Sequence, residues 1–172
     1  RMKKTTNIIL DFDGTLGDTA SVIIQTMQAT IKELNLPARS DEECAAMIGL
    51  RLIEIPAVLF PECGDMGELY AETYRRLFYT FNTDGAVTLY PHVLETLEQL
   101  KKRGITLTIA SSRSHASLAQ YVESLELSSL ISYILGADDV KEGKTNPAPV
   151  DKLLGVVRFE AKEILVVGDT TL

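Results

Sequence analysis

A chain of 172 residues has room for one core domain and a modest insert, and is too short for two large domains. Hydrophobic residues make up 45% and charged residues 24%, a globular composition that excludes a low-complexity or disordered chain. The formal net charge of -7 argues against nucleic-acid binding, which uses a basic stripe to displace counterions, so any phosphate site must be made positive locally.

The two cysteines, Cys44 and Cys63, form no CxxC pair. With His92 and His115 as the only histidines, a zinc cluster lacks ligands. Free thiols suit a reducing cytosol, so a cytoplasmic location is expected. No apolar run approaches a membrane span.

In chain order, Ile8-Ile9-Leu10 reads as a buried parallel strand, and Ile105–Ala110 and Ile164–Val167 read likewise. Ser132–Leu135, ending at Gly136, is a weaker strand signal. Val93, Leu94, Leu97 and Leu100 recur at helical spacing, and Lys101, Lys102 and Arg103 before Gly104 mark the helix end. Asn146-Pro147 reads as the start of another helix. Alternating strands and helices predict an α/β fold: a Rossmann-like parallel sheet flanked by helices.

The stretch from Gly17 to Ala86 breaks this rhythm. Ile23, Ile24, Met27, Ile31 and Leu34 form a helical stripe, Ser40-Asp41-Glu42-Glu43 is a capping box, and Leu69–Phe81 predicts a third helix. An all-helical insert of roughly 70 residues far exceeds an ordinary crossover and predicts a separate cap. The expected division is a core of residues 1–16 and 87–172 with a cap over 17–86.

Asp11-Phe12-Asp13-Gly14-Thr15-Leu16 directly follows the first strand. Ligands of open parallel sheets bind at the carboxyl ends of strands. Alternation places Asp11 and Asp13 on one side, and Gly14 permits a sharp turn. Two close carboxylates repel unless a hard cation such as Mg²⁺ lies between them; one can then attack phosphorus while the other handles protons. The same residues also suit an acidic turn capping a helix.

Three further strand ends carry polar groups. Ser111-Ser112-Arg113 offers hydroxyls for a phosphate or an N-cap for a helix over 115–125. Lys144 offers a point cation or is a surface lysine. Gly168-Asp169-Thr170 offers another carboxylate or simply a turn. Gly143-Lys144-Thr145 looks like a P-loop tail, but six residues separate Gly136 from Gly143 where that motif has four, so a nucleoside triphosphatase is excluded.

Taken in order, these motifs resemble the haloacid dehalogenase superfamily, in its phosphoglycolate-phosphatase-like branch with a helical cap. Asp11, Asp13, Gly14 and Thr15 match DxDGT, Ser111 the second motif, Lys144 the third, and Gly168-Asp169 the fourth. Tyr90-Pro91-His92-Val93 resembles that family's YPGV, and Met47-Ile48-Gly49-Leu50 its cap specificity loop. The resemblance implies that Asp11 is a nucleophile that becomes an aspartyl phosphate. Asp13 would protonate the leaving alcohol and then activate water. Mg²⁺ would be held by the carboxylates of Asp11 and Asp169 and the main-chain carbonyl of Asp13. Ser111 and Lys144 would hold phosphoryl oxygens, with Ser112, Gly14 and Thr15 beside them. The implied reaction is hydrolysis of a small phosphorylated metabolite.

The sequence departs from the pattern at Thr145, where the family has Pro, and at His92, where it has Gly. The resemblance also implies an acidic residue just past Leu172, then a fifth strand and a final helix. The alternatives are a β-phosphoglucomutase-like isomerase, which would resemble DGV with a following His; a dehalogenase, which lacks the second aspartate; and a non-catalytic protein of the same fold. Arg51, beside Gly49-Leu50, is a candidate for contacting a substrate anion or an exposed helix-end residue. His115 reads as a surface helix residue, and Cys44 and Cys63 as cap packing.

Overall fold

The computed structural model describes residues 5–140 and 164–169. At its centre is β1, Asn7–Leu10, buried at every position. A strand covered on both faces is mostly apolar, which is why Ile8, Ile9 and Leu10 run without alternation after Asn7. β2, Gly17–Asp18, follows it, and β3 is Thr88–Leu89; these two pair as a ribbon where the chain leaves and re-enters the sheet-bearing part. β4 is Thr106–Ala110, β5 Tyr133–Leu135 and β6 Ile164–Val167.

The four long strands form one parallel sheet in the order β5-β4-β1-β6. Ile8 lies opposite Leu107 on one side and Leu165 on the other, and Ile109 lies opposite Ile134. After β1 the chain moves outward through β4 and β5, then returns to the opposite side of β1. Strand order therefore reverses at β1, and a crevice forms at the carboxyl end of such a strand.

The chain divides into two compact units. One contains the described residues up to Gly17 and from Leu89 onward; the other is Asp18–Thr88. In the sheet unit, α5 (Val93–Lys102) ends with Lys101 and Lys102 in its last turn, and Gly104 follows in the left-handed region. α6 (His115–Ser124) is capped by Ser114, whose hydroxyl accepts from Ser117 N at 3.2 Å. The cap is thus neither Ser111 nor Ser112, and both hydroxyls lie outside the helix.

The second unit is helical: α1 (Ala20–Glu33), α2 (Asp41–Ala45), α3 (Ile55–Leu59), a 3₁₀ turn at Pro61–Cys63, and α4 (Gly67–Phe81). Met27, Cys44, Phe60 and Tyr70 form its solvent-free interior. Tyr70, Tyr74 and Phe78 recur one turn apart on α4 and stack in sequence, with ring centroids 6.3 and 5.9 Å apart. The Ser40–Glu43 capping box is formed in both directions. α3 was not legible from the sequence, because five residues are too few for a helical period to emerge. The β2–β3 ribbon was likewise not anticipated: two residues per strand carry no alternation.

Candidate active site

Asp11 is the first residue past β1, and its N–H donates to Val167 O at 2.9 Å, so ladder pairing with β6 continues one step beyond the strand. Ser111 occupies the matching place after β4, its N–H donating to Leu135 O at 3.0 Å. Sheet pairing, rather than loop chance, therefore brings both residues to the carboxyl edge. Asp11, Asp13 and Ser111 are all buried, where an uncompensated carboxylate is costly.

The chain turns around one carbonyl. Phe12 O accepts from the amides of Thr15, Leu16 and Gly17 at 3.2, 3.0 and 2.9 Å, while Gly14 N donates to Gly17 O. The Phe12 ring is fully buried and stacks on Tyr121 of α6, with centroids 5.0 Å apart. This anchors the segment between the two aspartates. Residue 17 must be glycine for the ring to lie there, since a Cβ would sit 2.7 Å from the Phe12 ring.

Asp11 Oδ1 accepts from Phe12 N at 2.8 Å, which fixes the carboxylate plane. Its Oδ2 faces Gly168, 3.8 Å from where a Cβ would be. Asp169 reaches the same turn from β6: a Cβ on Gly14 would fall 2.1 Å from Asp169 Oδ2. The missing side chain at residue 14 is thus the cradle that admits the Asp169 carboxylate. Gly14 N and Thr15 N are committed within the turn, so what Thr15 offers is its hydroxyl, a buried oxygen without a hydrogen-bond partner among the described residues. Ser111 Oγ accepts from Arg113 N at 3.1 Å, which leaves its own O–H as a donor.

Asp13 is held by a residue that motif reasoning passed over. Arg113 Nε donates to Asp13 Oδ1 and Oδ2 at 2.8 and 2.9 Å, and Nη2 lies 2.8 Å from Oδ1. Arg113 Nη1 donates to Ser117 Oγ at 3.2 Å, and the guanidinium lies 5.1 Å from the Tyr121 ring centre. Burial pushes the Tyr121 phenol up; the charge of Asp13 adds to this and that of Arg113 opposes it. The only sequence signal for Arg113 was its place two residues past the strand-end serine.

Among the described residues, no three His, Cys, Asp or Glu side chains cluster so as to hold a metal ion by themselves. The Asp13 carboxylate is engaged by Arg113, which leaves Asp11 and Asp169 as the acidic side chains facing the turn. Two carboxylates beside a glycine cradle, in an all-oxygen setting, fit a hard divalent cation.

Other expected residues fall elsewhere. Lys144, with Thr145, Asn146 and Pro147, lies outside the described residues. Arg51 belongs to the helical unit, where its N–H donates to Glu54 Oε2 at 3.1 Å. His115 Nδ1 lies 2.9 Å from Asp139 Oδ2 and its N–H donates to Asp138 Oδ1, which ties the start of α6 to the turn after β5. His92 is exposed and adopts a left-handed conformation, φ 66°.

The family model for haloacid dehalogenase-like hydrolases matches residues 8–172. The chain belongs to the haloacid dehalogenase-like hydrolase family. The phosphoglycolate phosphatase of Photorhabdus laumondii subsp. laumondii is 32% identical over 168 residues, covering 95% of this chain and 71% of that one. Pyrophosphatase PpaX of Oceanobacillus iheyensis is 32% identical over 165 residues, covering 94% and 73%. The crystal structure of a predicted phosphoglycolate phosphatase from Haemophilus somnus 129PT superimposes with a TM-score of 0.83 at 27% identity, covering 98% and 79%. As a haloacid dehalogenase-like protein similar to phosphoglycolate phosphatases, the chain is a hydrolase of the phosphatase class. Phosphatases of this family generally use a metal ion. Among the described residues, no helix is long and apolar enough to cross a membrane.

Proposed function

We propose that this protein is a Mg²⁺-dependent phosphatase that hydrolyses a small phosphorylated metabolite through an aspartyl phosphate on Asp11. The observation that carries the reading is the Asp169 carboxylate seated against Gly14, in the turn that follows Asp11 and Asp13. Two buried aspartates, Asp11 and Asp13, beside the exposed Asp169 carboxylate have little purpose in a binding surface and a direct one in phosphoryl transfer.

Asp11 Oδ2 is the attacking atom, since Oδ1 is engaged by the Phe12 amide. It bonds to phosphorus as the bond from phosphorus to the leaving oxygen breaks, and Asp13 gives that oxygen a proton. In the second half Asp13 takes a proton from water, which attacks the aspartyl phosphate and restores Asp11. The hydroxyl of Ser111 donates to a phosphoryl oxygen, with Ser112, Gly14 and Thr15 beside it and Lys144 as the neutralising cation. Mg²⁺, held by the carboxylates of Asp11 and Asp169 and the main-chain carbonyl of Asp13, would offset negative charge between the nucleophile and the phosphate.

Asp18–Thr88 is proposed as the cap that selects the substrate, with Arg51 as its candidate anion contact. The names of the relatives make phosphoglycolate and pyrophosphate the first substrates to try. The thiols of Cys44 and Cys63 are both free, which suits the cytoplasm.

The test is phosphate release from a panel of phosphorylated metabolites with and without MgCl₂, repeated on Asp11→Asn. Turnover that requires Mg²⁺ and falls by about three orders of magnitude or more in the variant is expected, because a carboxamide is no nucleophile here. Equal turnover by the two proteins would end the proposal.

A further inference from the structure

We propose that Arg113 is a positioning residue for the proton-transferring carboxylate of Asp13; the inference rests on the reaction proposed above. Both carboxylate oxygens are gripped side-on: Nε lies 2.8 and 2.9 Å from Oδ1 and Oδ2, and Nη2 lies 2.8 Å from Oδ1. A planar fork on a planar acceptor fixes both the plane and the in-plane rotation of the carboxylate, which a lysine ammonium would not do.

Arg113 is itself located at three points. Its amide bonds Ser111 Oγ, Nη1 bonds Ser117 Oγ, and the guanidinium faces the Tyr121 ring. Tyr121 in turn stacks on Phe12, the neighbour of Asp13 in the chain. Residues 12 and 13 are thus held from the α6 side by two handles, one aromatic and one ionic. The aromatic handle already anchors the turn. A second, ionic handle adds the one thing an apolar contact cannot: a defined orientation of a carboxylate. The Arg113 and Asp13 side chains are 11% and 8% exposed, so solvent neither screens nor competes for the contact as it does at a surface pair.

As Asp11 bonds to phosphorus and the leaving oxygen departs, the proton passes from Asp13 to that oxygen. The guanidinium stays charged throughout and neither gives nor takes the proton. Arg113 presents the carboxyl in one orientation and holds the carboxylate left after transfer. Misplacement of a reacting group by about an ångström costs on the order of 10²-fold in rate.

The test uses kcat/KM for a series of substituted phenyl phosphates, from p-nitrophenyl, which leaves with little help from a proton, to unsubstituted phenyl, which needs one. This constant reports steps up to the phosphorylation of Asp11, so the water-activating role of Asp13 does not enter. Arg113→Met is expected to lose roughly 10- to 100-fold on phenyl phosphate and only a few-fold on p-nitrophenyl phosphate. Asp13→Asn should show the same steepened dependence, and the double variant no further steepening. Arg113→Lys, which keeps the charge without the fork, should recover only part of the loss, and it reads the same dependence should the Met variant not fold. Equal losses across the series would overturn the assignment and leave Arg113 a structural or phosphate-contacting residue. If wild-type protein cleaves none of the esters, or Asp11→Asn cleaves them equally well, the proposed reaction falls and takes the assignment with it. If turnover depends on Asp11 but Arg113 variants lose activity uniformly, the assignment alone falls.

Discussion

The carboxylate of Asp169 occupies the space that a side chain on Gly14 would fill, with Oδ2 2.1 Å from the missing Cβ. Gly14 also has φ +78°, where an L-residue costs about 1–2 kcal/mol. Gly14→Ala should therefore displace Asp169 as well as strain the turn. The expected result is a melting temperature lower by a few degrees and a rise of tenfold or more in the Mg²⁺ concentration needed for half-maximal phosphate release. Activation by Mg²⁺ at the wild-type concentration would mean that Asp169 does not serve the ion.

Phe12 is the apolar anchor of the acidic turn. Truncating a buried aromatic residue costs about 3–5 kcal/mol, and Phe12 also loses its stack on Tyr121. Phe12→Ala should lower the melting temperature by about 10 °C, as read by circular dichroism. Gly17→Ala, whose Cβ would meet the same ring at 2.7 Å, should be destabilised in the same direction.

His92 holds a left-handed conformation at the entry to α5 without a side-chain cap. Its contact with Glu95, at 3.5 Å, joins two exposed side chains and contributes little. His92→Gly removes the steric cost of a Cβ at φ 66°, offset in part by the greater freedom of glycine in the unfolded chain. Denaturant unfolding should show a gain of about 0.5–1 kcal/mol. A loss would reveal a role for the imidazole.

The helical unit should weaken in alkali. Burial, followed by the charges of Asp41 and Glu43, pushes the Cys44 thiol up; burial does the same to the Tyr70 phenol, with Tyr74 and Cys44 adding to it. Both groups keep their protons in the folded state after the unfolded chain has lost them. Their contribution to stability is complete below the unfolded values, about 8.5 for Cys and about 10 for Tyr, and is lost as pH rises from there toward the folded ones. Melting measured from pH 8 to 11 should fall, and fall less in Tyr70→Phe. That variant should also gain on the order of 1 kcal/mol at neutral pH, because the Tyr70 hydroxyl is buried without a hydrogen-bond partner among the described residues.

The capping box at Ser40 is a local test of the sequence reading. Ser40→Ala removes the bond to Glu43 N at 3.1 Å and should cost about 1 kcal/mol in chemical denaturation.

Much of this protein was legible residue by residue. Local rules suffice where the cause is local: short apolar runs for the strands, helical spacing for α1, α4 and α5, and a four-residue signature for the start of α2. They also place Asp11, Ser111 and Asp169 at strand ends, since each lies just past an apolar run and beside turn-forming residues. Tertiary structure alone decided which strand ends meet. The order β5-β4-β1-β6 puts Asp11 between residues far from it in sequence, and Ser114 takes the cap of α6 and leaves Ser111 and Ser112 outside the helix. It also paired Arg113 with Asp13 across 100 residues and set Asp169 into the gap at Gly14. Periodicity reports which face of an element is buried. It carries no information about which buried charge will find which partner, because that depends on distances fixed only when the sheet has closed.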